Sequence, residues 1–183
     1  MDYPSVVDSS APLRPHLQIE FTESDLSLLP LLRSVSSLIA ELTKTNPEIP
    51  AVACIDPVES AVDKISALLW RVPDRVRQPK DDDPDLARHI HDLAALQPYA
   101  IAHPDFKHLT VGMIGQDDHR CDKTSGLPIV QKFQILMEIL ATDTEYATEY
   151  TRFVQGMSYA AGGVPTYSKA MAKLKDLVEH ILE

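Results

Sequence analysis

The chain has 183 residues, a net charge of −10 and a sequence pI near 5.1. Its apolar content of 44% is ordinary for a globular chain and sufficient for one core, and the acidic balance argues against non-specific nucleic-acid binding through bulk charge. The sequence shows no signal peptide, no apolar run long enough to cross a membrane, and two cysteines in unrelated contexts. We therefore expect a cytoplasmic protein without a membrane partner.

The first 56 residues carry the predicted strands. Residues 16–21 alternate cleanly, with apolar side chains on one face and Glu20 on the other, which predicts a half-buried strand. A helix is predicted over residues 34–43 and closed by Pro47 and Pro50. Residues 51–55 form a short apolar run that predicts a second strand, in which Cys54 would be a small buried hydrophobe.

Two central helices follow, each with a charged residue beside its apolar face. In the first, Asp56 is the predicted cap, Pro57 opens the helix and Lys64 lies next to the apolar stripe. In the second, which is predicted to start at residues 83–85, Asp92 is flanked by apolar positions. The ordinary interpretations are a lysine that extends its ammonium into water and a solvated aspartate.

The loop between these helices concentrates charge. Arginines come first and are followed by residues 80–83, Lys-Asp-Asp-Asp, which favour a solvated loop with a helix cap over a metal site. Asp81 and Asp83 are placed to interact with the neighbouring arginines. Six basic residues cluster across this part of the chain and provide a local positive patch: Lys64, Arg71, Arg75, Arg77, Lys80 and Arg88.

The remainder of the chain is predicted to be helical. Apolar stripes predict helices over residues 104–116, 129–140, 144–157 and 167–182. Residues 116–122 have the composition of a metal site but not the ligand spacing. His89 and His91 are two apart and point to different faces, and His91 remains a candidate for orienting a substrate or accepting a proton. The predicted fold class is α+β, mostly helical, with few strands followed by a C-terminal helical bundle.

The runs VESAVDKISALLWR and LARHIHDLAAL, and YTRFVQGMSY followed by an amphipathic helix, carry a family resemblance. From about Leu17 to its end the chain resembles the C-terminal half of the AbiEii/AbiGii toxin-family nucleotidyltransferases. Lys64 and Asp92 match a lysine and an aspartate of that family.

The resemblance implies a function and a set of partners. It implies nucleotide transfer from a nucleoside triphosphate to RNA, with tRNA the expected acceptor, dependence on Mg²⁺, and an antitoxin partner. Lys64 would hold the phosphates and Asp92 would assist the attacking hydroxyl or the metal. Glu20 matches loosely a third, metal-binding carboxylate. Further contacts to phosphate, RNA or substrate would come from Arg71, Arg75, Arg88 and His91.

One part of the family pattern is missing from the sequence. Nucleotidyl transfer uses carboxylates that hold two metal ions, and the family supplies them with a glycine turn and an Asp-x-Asp strand. Gly162-Gly163 is followed by a helix, and residues 81–83 lack both the glycine turn and the apolar strand. We therefore expect residues 1–56 to be a remnant of the nucleotidyltransferase sheet and residues 57–183 its helical region, with transfer very slow or nil in this chain alone.

A second hypothesis belongs to another class of protein. A non-catalytic helical interaction module would bind a partner through an exposed apolar face. If the missing strands are absent, the strand at residues 17–21 has an open edge, which tends to recruit another chain. This hypothesis predicts a homodimer without nucleotide binding.

Overall fold

The computed structural model describes residues 25–78, 82–83, 86–157 and 163–183. Two strands and a series of helices follow one another, and the expected mostly helical α+β class is confirmed. The predicted strand at residues 17–21, with Glu20, lies outside the described residues, as does Asp81. Within the described part, no helix is both long and apolar enough to cross a membrane.

The elements in chain order are β1 (Leu31–Val35), α1 (Leu38–Thr43), β2 (Ile49–Cys54), α2 (Pro57–Asp74), α3 (Leu86–Ala102), α4 (Phe106–Gln116), a 3₁₀ turn (Asp118–Arg120), α5 (Ile129–Thr142), α6 (Glu145–Met157) and α7 (Tyr167–Leu182). The described strands lie before Asp56 and the long helices after it. The division into residues 1–56 and 57–183 as family regions stays a prediction.

The region of the small sheet and α1 differs from the sequence predictions in two respects. Strands β1 and β2 pair antiparallel, with Leu31 opposite Cys54 and an irregularity between Arg33 and Val35. The helix predicted from residue 34 begins only at Leu38, because Ser37 is its N-cap and its hydroxyl accepts the N–H of Ala40 at 3.1 Å. Cys54 is half-buried rather than buried, because it lies at the end of a strand whose other residues are exposed in the described part of the chain.

Helices α2 and α3 form the centre of the core. The predicted start of α2 is confirmed: Asp56 Oδ1 accepts the N–H of Val58 at 2.8 Å, and Pro57 is the first helical residue. Helix α2 packs against α3, α4 and α5, whereas α3 packs against α6 and α7 on its other sides. The most deeply buried apolar side chains of these two helices include Ala61, Ile65, Leu68, Leu86, Ile90 and Leu93.

Helix α3 continues further than the apolar stripe of residues 86–96 indicates, although it contains a proline. A neighbouring helix donates a hydrogen bond to the backbone carbonyl that the proline leaves free. Pro98 lies inside α3 and has no N–H to give to the carbonyl of Ala94. Lys173 of α7 donates its Nζ proton to that carbonyl at 2.8 Å. The helix therefore passes through the proline without an unsatisfied backbone group.

Glu59 connects the start of the described chain to α2. Its side chain is buried, and its two carboxylate oxygens accept the backbone N–H groups of Ser27 at 2.5 Å and Leu28 at 3.3 Å. This contact fixes where the segment leading into β1 leaves the helical body.

Candidate functional site

The two residues that carry the family resemblance meet in space. Lys64 of α2 and Asp92 of α3 form an ion pair of 2.8 Å between Nζ and Oδ2. Their side chains are 24% and 31% exposed, so both remain accessible to a ligand. The packing of α2 against α3 brings together residues that are far apart in the sequence.

The ion pair borders an open groove of ≈ 660 Å³. Helices α2, α3 and α4 and the 3₁₀ turn supply its walls. Its cationic and aromatic lining consists of Lys64, Trp70, Arg71, His89 and Arg120, and acidic side chains are present as Asp63 and Asp117.

Every cation that lines the groove is held by an acid. Arg71 contacts Asp83 at 3.2 Å, as the loop charges predicted, and Arg120 contacts Asp117 at 2.8 Å. Both guanidinium groups also lie near the Trp70 ring, 5.0 and 5.2 Å from its centroid. Each of these positive groups is therefore paired, and an anionic ligand has to compete with carboxylates for them.

His89 is the groove residue that sequence reasoning missed. Burial, together with the positive charges of Lys64, Arg71 and Arg88, lowers the pKa of its imidazole to about 4. Its Nδ1 is buried without a hydrogen-bond partner in the described part of the chain. His89 therefore enters the groove as a neutral ring near physiological pH. Its spacing of three residues from Asp92 is the sequence signal that places both on one helix face.

The remaining predicted site residues are located elsewhere. His91 faces α6, where its Nδ1 lies 3.3 Å from the Tyr150 hydroxyl and its ring meets Phe153 edge-on. The hydroxyl of Tyr150 in turn donates to the carbonyl of Pro165 at 2.9 Å. Arg88 is exposed on α3. The structure thus brings Lys64, Asp92 and Arg71 together at the groove, and places His91 in a contact with α6.

Arg75 is part of an internal charge network. Its side chain is 4% exposed and donates two hydrogen bonds to Glu149, at 2.8 and 2.7 Å, and one to Asp82 at 2.7 Å. Arg77 binds the same Glu149 and Asp143. These contacts hold the loop after α2 against α6, which gives Arg75 a structural role in place of the expected contact with phosphate or RNA.

The described residues do not fit a two-metal site. No group of three or more His, Cys, Asp or Glu side chains among them is arranged to hold a metal ion. Three acids at or near the groove have other partners: Asp92 binds Lys64, Asp117 accepts from Ser66 at 2.6 Å, and Asp118 binds Lys132 and the N–H of Gly126. No reaction step through Mg²⁺ is derived from this arrangement.

The two residues singled out by the sequence resemblance are thus paired beside the groove. A family model described as "Nucleotidyl transferase AbiEii toxin, Type IV TA system" matches residues 1–173. The chain belongs to this AbiEii family, as its sequence resemblance predicted. Comparison with curated proteins and with solved structures gives no match.

Proposed function

We propose that the groove binds the phosphates of a nucleoside triphosphate, as one part of a reaction that transfers a nucleotide to an RNA acceptor, tRNA being the expected one. The observation that carries the proposal is the accessible ion pair of Lys64 and Asp92 at the border of a groove that also contains Arg71 and Arg120. Family membership supports nucleotidyl transfer as the general reaction.

We expect Lys64 to bind phosphate because its ammonium is accessible and its side chain is flexible. Lys64 has a compact ammonium on a flexible stem, which suits a phosphate oxygen as a point charge. When a phosphate enters, Lys64 exchanges one oxyanion, Asp92, for another. Arg71 and Arg120 lie on the same groove and can share the remaining charge through charge-assisted hydrogen bonds.

The same exchange gives Asp92 its role. Once the ammonium of Lys64 turns to the phosphate, the Asp92 carboxylate is free to accept the proton of an attacking hydroxyl. The hydroxyl oxygen then bonds to the α-phosphorus, the bond from that phosphorus to the β-phosphate oxygen breaks, and pyrophosphate leaves with the electron pair. Lys64 would thus act first, on the phosphates of the triphosphate, and Asp92 would act next, on the attacking hydroxyl.

Binding and transfer are expected to separate in this chain. The sequence lacks the glycine turn and Asp-x-Asp strand that hold the catalytic metal ions in the family, and the described acids do not replace them. We therefore expect nucleotide binding with transfer that is very slow or nil for this chain alone. Type IV family membership also implies an antitoxin partner, and the cytoplasm remains the predicted location.

Trp70 allows a direct test, because it is the single tryptophan of the sequence and it lines the groove. Titration with each of the four ribonucleoside triphosphates, with and without Mg²⁺, is expected to change its fluorescence. Lys64→Ala should weaken binding by about tenfold or more, since it removes a charge-assisted contact. Lys175→Ala is the matched control, because Lys175 pairs with Glu179 on α7 and does not line the groove.

Asp92→Asn separates the two proposed roles. It leaves Lys64 unpaired, so triphosphate binding should be retained or tighter, whereas any transfer of labelled nucleotide to tRNA should be lost. Triphosphate affinity that is identical in wild type, Lys64→Ala and Lys175→Ala would refute the groove assignment. Unimpaired transfer by Asp92→Asn would refute the role of the carboxylate.

A further inference from the structure

The segment of residues 29–55, which we call the apolar lobe, exposes large apolar side chains. It comprises β1, α1 and β2. Its five most exposed apolar residues are 70–87% accessible: Leu29, Leu32, Leu38, Ile39 and Leu42. Single exposed leucines are common on protein surfaces, but a contiguous set of this kind marks an interaction site.

The lobe lacks a core of its own. Ala40 is the one buried hydrophobic residue in this segment. A two-stranded sheet is marginally stable in water and needs a further strand or a packed helix, and α1, with six residues, is too short to be stable alone. Ser37 and Glu48 contribute two exposed hydrogen bonds across the lobe, at 2.8 and 2.5 Å. Among the residues that the structure describes, nothing buries these apolar side chains, and a partner surface would do so.

We propose that the occupant is a second copy of this chain, bound lobe to lobe in a symmetric dimer. Charge favours this partner. The lobe contains two basic residues, Arg33 and Lys44, and two acidic ones, Glu41 and Glu48, so the whole net charge of −10 lies outside it. The acidic surfaces of two copies repel one another, and this repulsion is weaker when the copies approach through the lobe, which has no net charge.

Size and symmetry support the same occupant. A stable interface takes roughly 20 to 30 residues from each partner, so the exposed residues of the lobe would form the larger part of such an interface. A twofold dimer uses the same patch on both copies, so the patch must complement itself. An apolar surface without net charge meets this requirement, and Leu38, Ile39 and Leu42 on α1 are the expected centre of the contact.

The dimer goes beyond the proposed nucleotide binding and does not depend on it, because the lobe contributes none of the residues that line the groove. A monomer that binds triphosphate would refute the dimer alone, and a dimer that does not bind triphosphate would refute the groove assignment alone. The two proposals can therefore be tested separately.

Sedimentation equilibrium and light scattering over a range of micromolar concentrations test the dimer on the full chain. The expected mass is twice that of the monomer. Leu38→Glu combined with Leu42→Glu should raise the dissociation constant by at least about tenfold, since it places four charges in the contact. Both side chains are more than 70% exposed, so the isolated fold should be unaffected.

Val111→Glu combined with Val130→Glu is the matched control, because both valines are exposed on helices outside the lobe. Leu32→Lys on β1 is an independent second variant, and circular dichroism confirms helix content in each case. A wild type that is monomeric throughout, including one that associates only with its antitoxin, would overturn the proposal. So would a dimer that survives the lobe variants or is lost equally in the control.

Discussion

The apolar lobe and the helical body, residues 57–183, differ in how far their apolar side chains are buried. In the body, α2 and α3 lie at the centre, and residues such as Leu68 and Leu93 are fully buried. In the lobe, apolar side chains of the same kind are mostly exposed. The comparison shows that hydrophobicity alone does not separate core from interface: the number of elements packed around a residue does.

The charges follow the same division. The body concentrates its charges in paired arrangements, such as Arg75 with Glu149 and Lys64 with Asp92. The lobe has few charges, and its residues do not approach the groove. The body is thus built to hold polar groups in fixed positions, whereas the lobe is built to contact another surface.

Loss of the buried arginine should produce the largest change in stability. Arg75→Ala takes the bidentate partner from Glu149, which is 10% exposed and keeps Arg77, and it also takes the partner from Asp82. Breaking a buried pair costs up to about 3–5 kcal/mol. Urea denaturation should show a lower free energy of unfolding. Arg33→Ala in the lobe is the control and should change it by less than about 0.5 kcal/mol. Equal changes in the free energy of unfolding for Arg75→Ala and Arg33→Ala would contradict the proposed difference between the helical body and the apolar lobe.

Truncation of a leucine should show the comparison directly. Leu93→Ala creates a cavity between packed helices and should lower the free energy of unfolding by about 2–5 kcal/mol. Leu38→Ala removes the same atoms from an exposed position and, at concentrations where the chain is monomeric, should have an effect within about 0.5 kcal/mol. A large loss for Leu38→Ala in the monomer would mean that the lobe already has an intramolecular partner.

His89 should contribute a pH dependence of stability that is confined to pH values below the ordinary histidine pKa of 6.5. Its pKa in the folded state, about 4, lies below the ordinary value of 6.5. Between these values the unfolded chain binds a proton that the folded chain does not, so stability should fall as the pH is lowered through this window and level off below it. The lobe has no histidine, so this contribution belongs to the body alone.

Nuclear magnetic resonance titration of the imidazole and urea denaturation at several pH values measure this contribution. His89→Asn should show a smaller loss of stability between these two pH values than wild type. A His89 resonance that titrates near 6.5 would contradict the effect of burial and of the surrounding cations.

The sequence predicted the elements whose signals are local. The cap and proline of α2, the bounds of α7 and the positions of Lys64 and Asp92 beside apolar faces are all readable within one helix. Strand β1 was missed because the leucine- and serine-rich run around it does not alternate. The helix predicted there begins four residues later than expected.

Long-range partners were not predictable from the sequence. Glu149 binds Arg75 across 74 positions in the chain, so the arginine appeared free for a ligand. His89 was considered only for its spacing from His91, because its environment depends on how α3 packs against α2. Lys64 and Asp92 were singled out through the family resemblance. Their ion pair was not predicted, because spacing within each helix cannot show that two helices place their charges face to face.

The carbonyl of Ala94, freed by Pro98 and bound by Lys173, has a mechanical consequence. Apolar faces allow two helices to slide past one another by a turn, about 5.4 Å, with a modest change in packing. Here such a slide would separate the buried carbonyl of Ala94 from the donor that it has in the described part of the chain, at a cost of about 1–3 kcal/mol. The bond from Lys173 thus favours one register of α7 along α3.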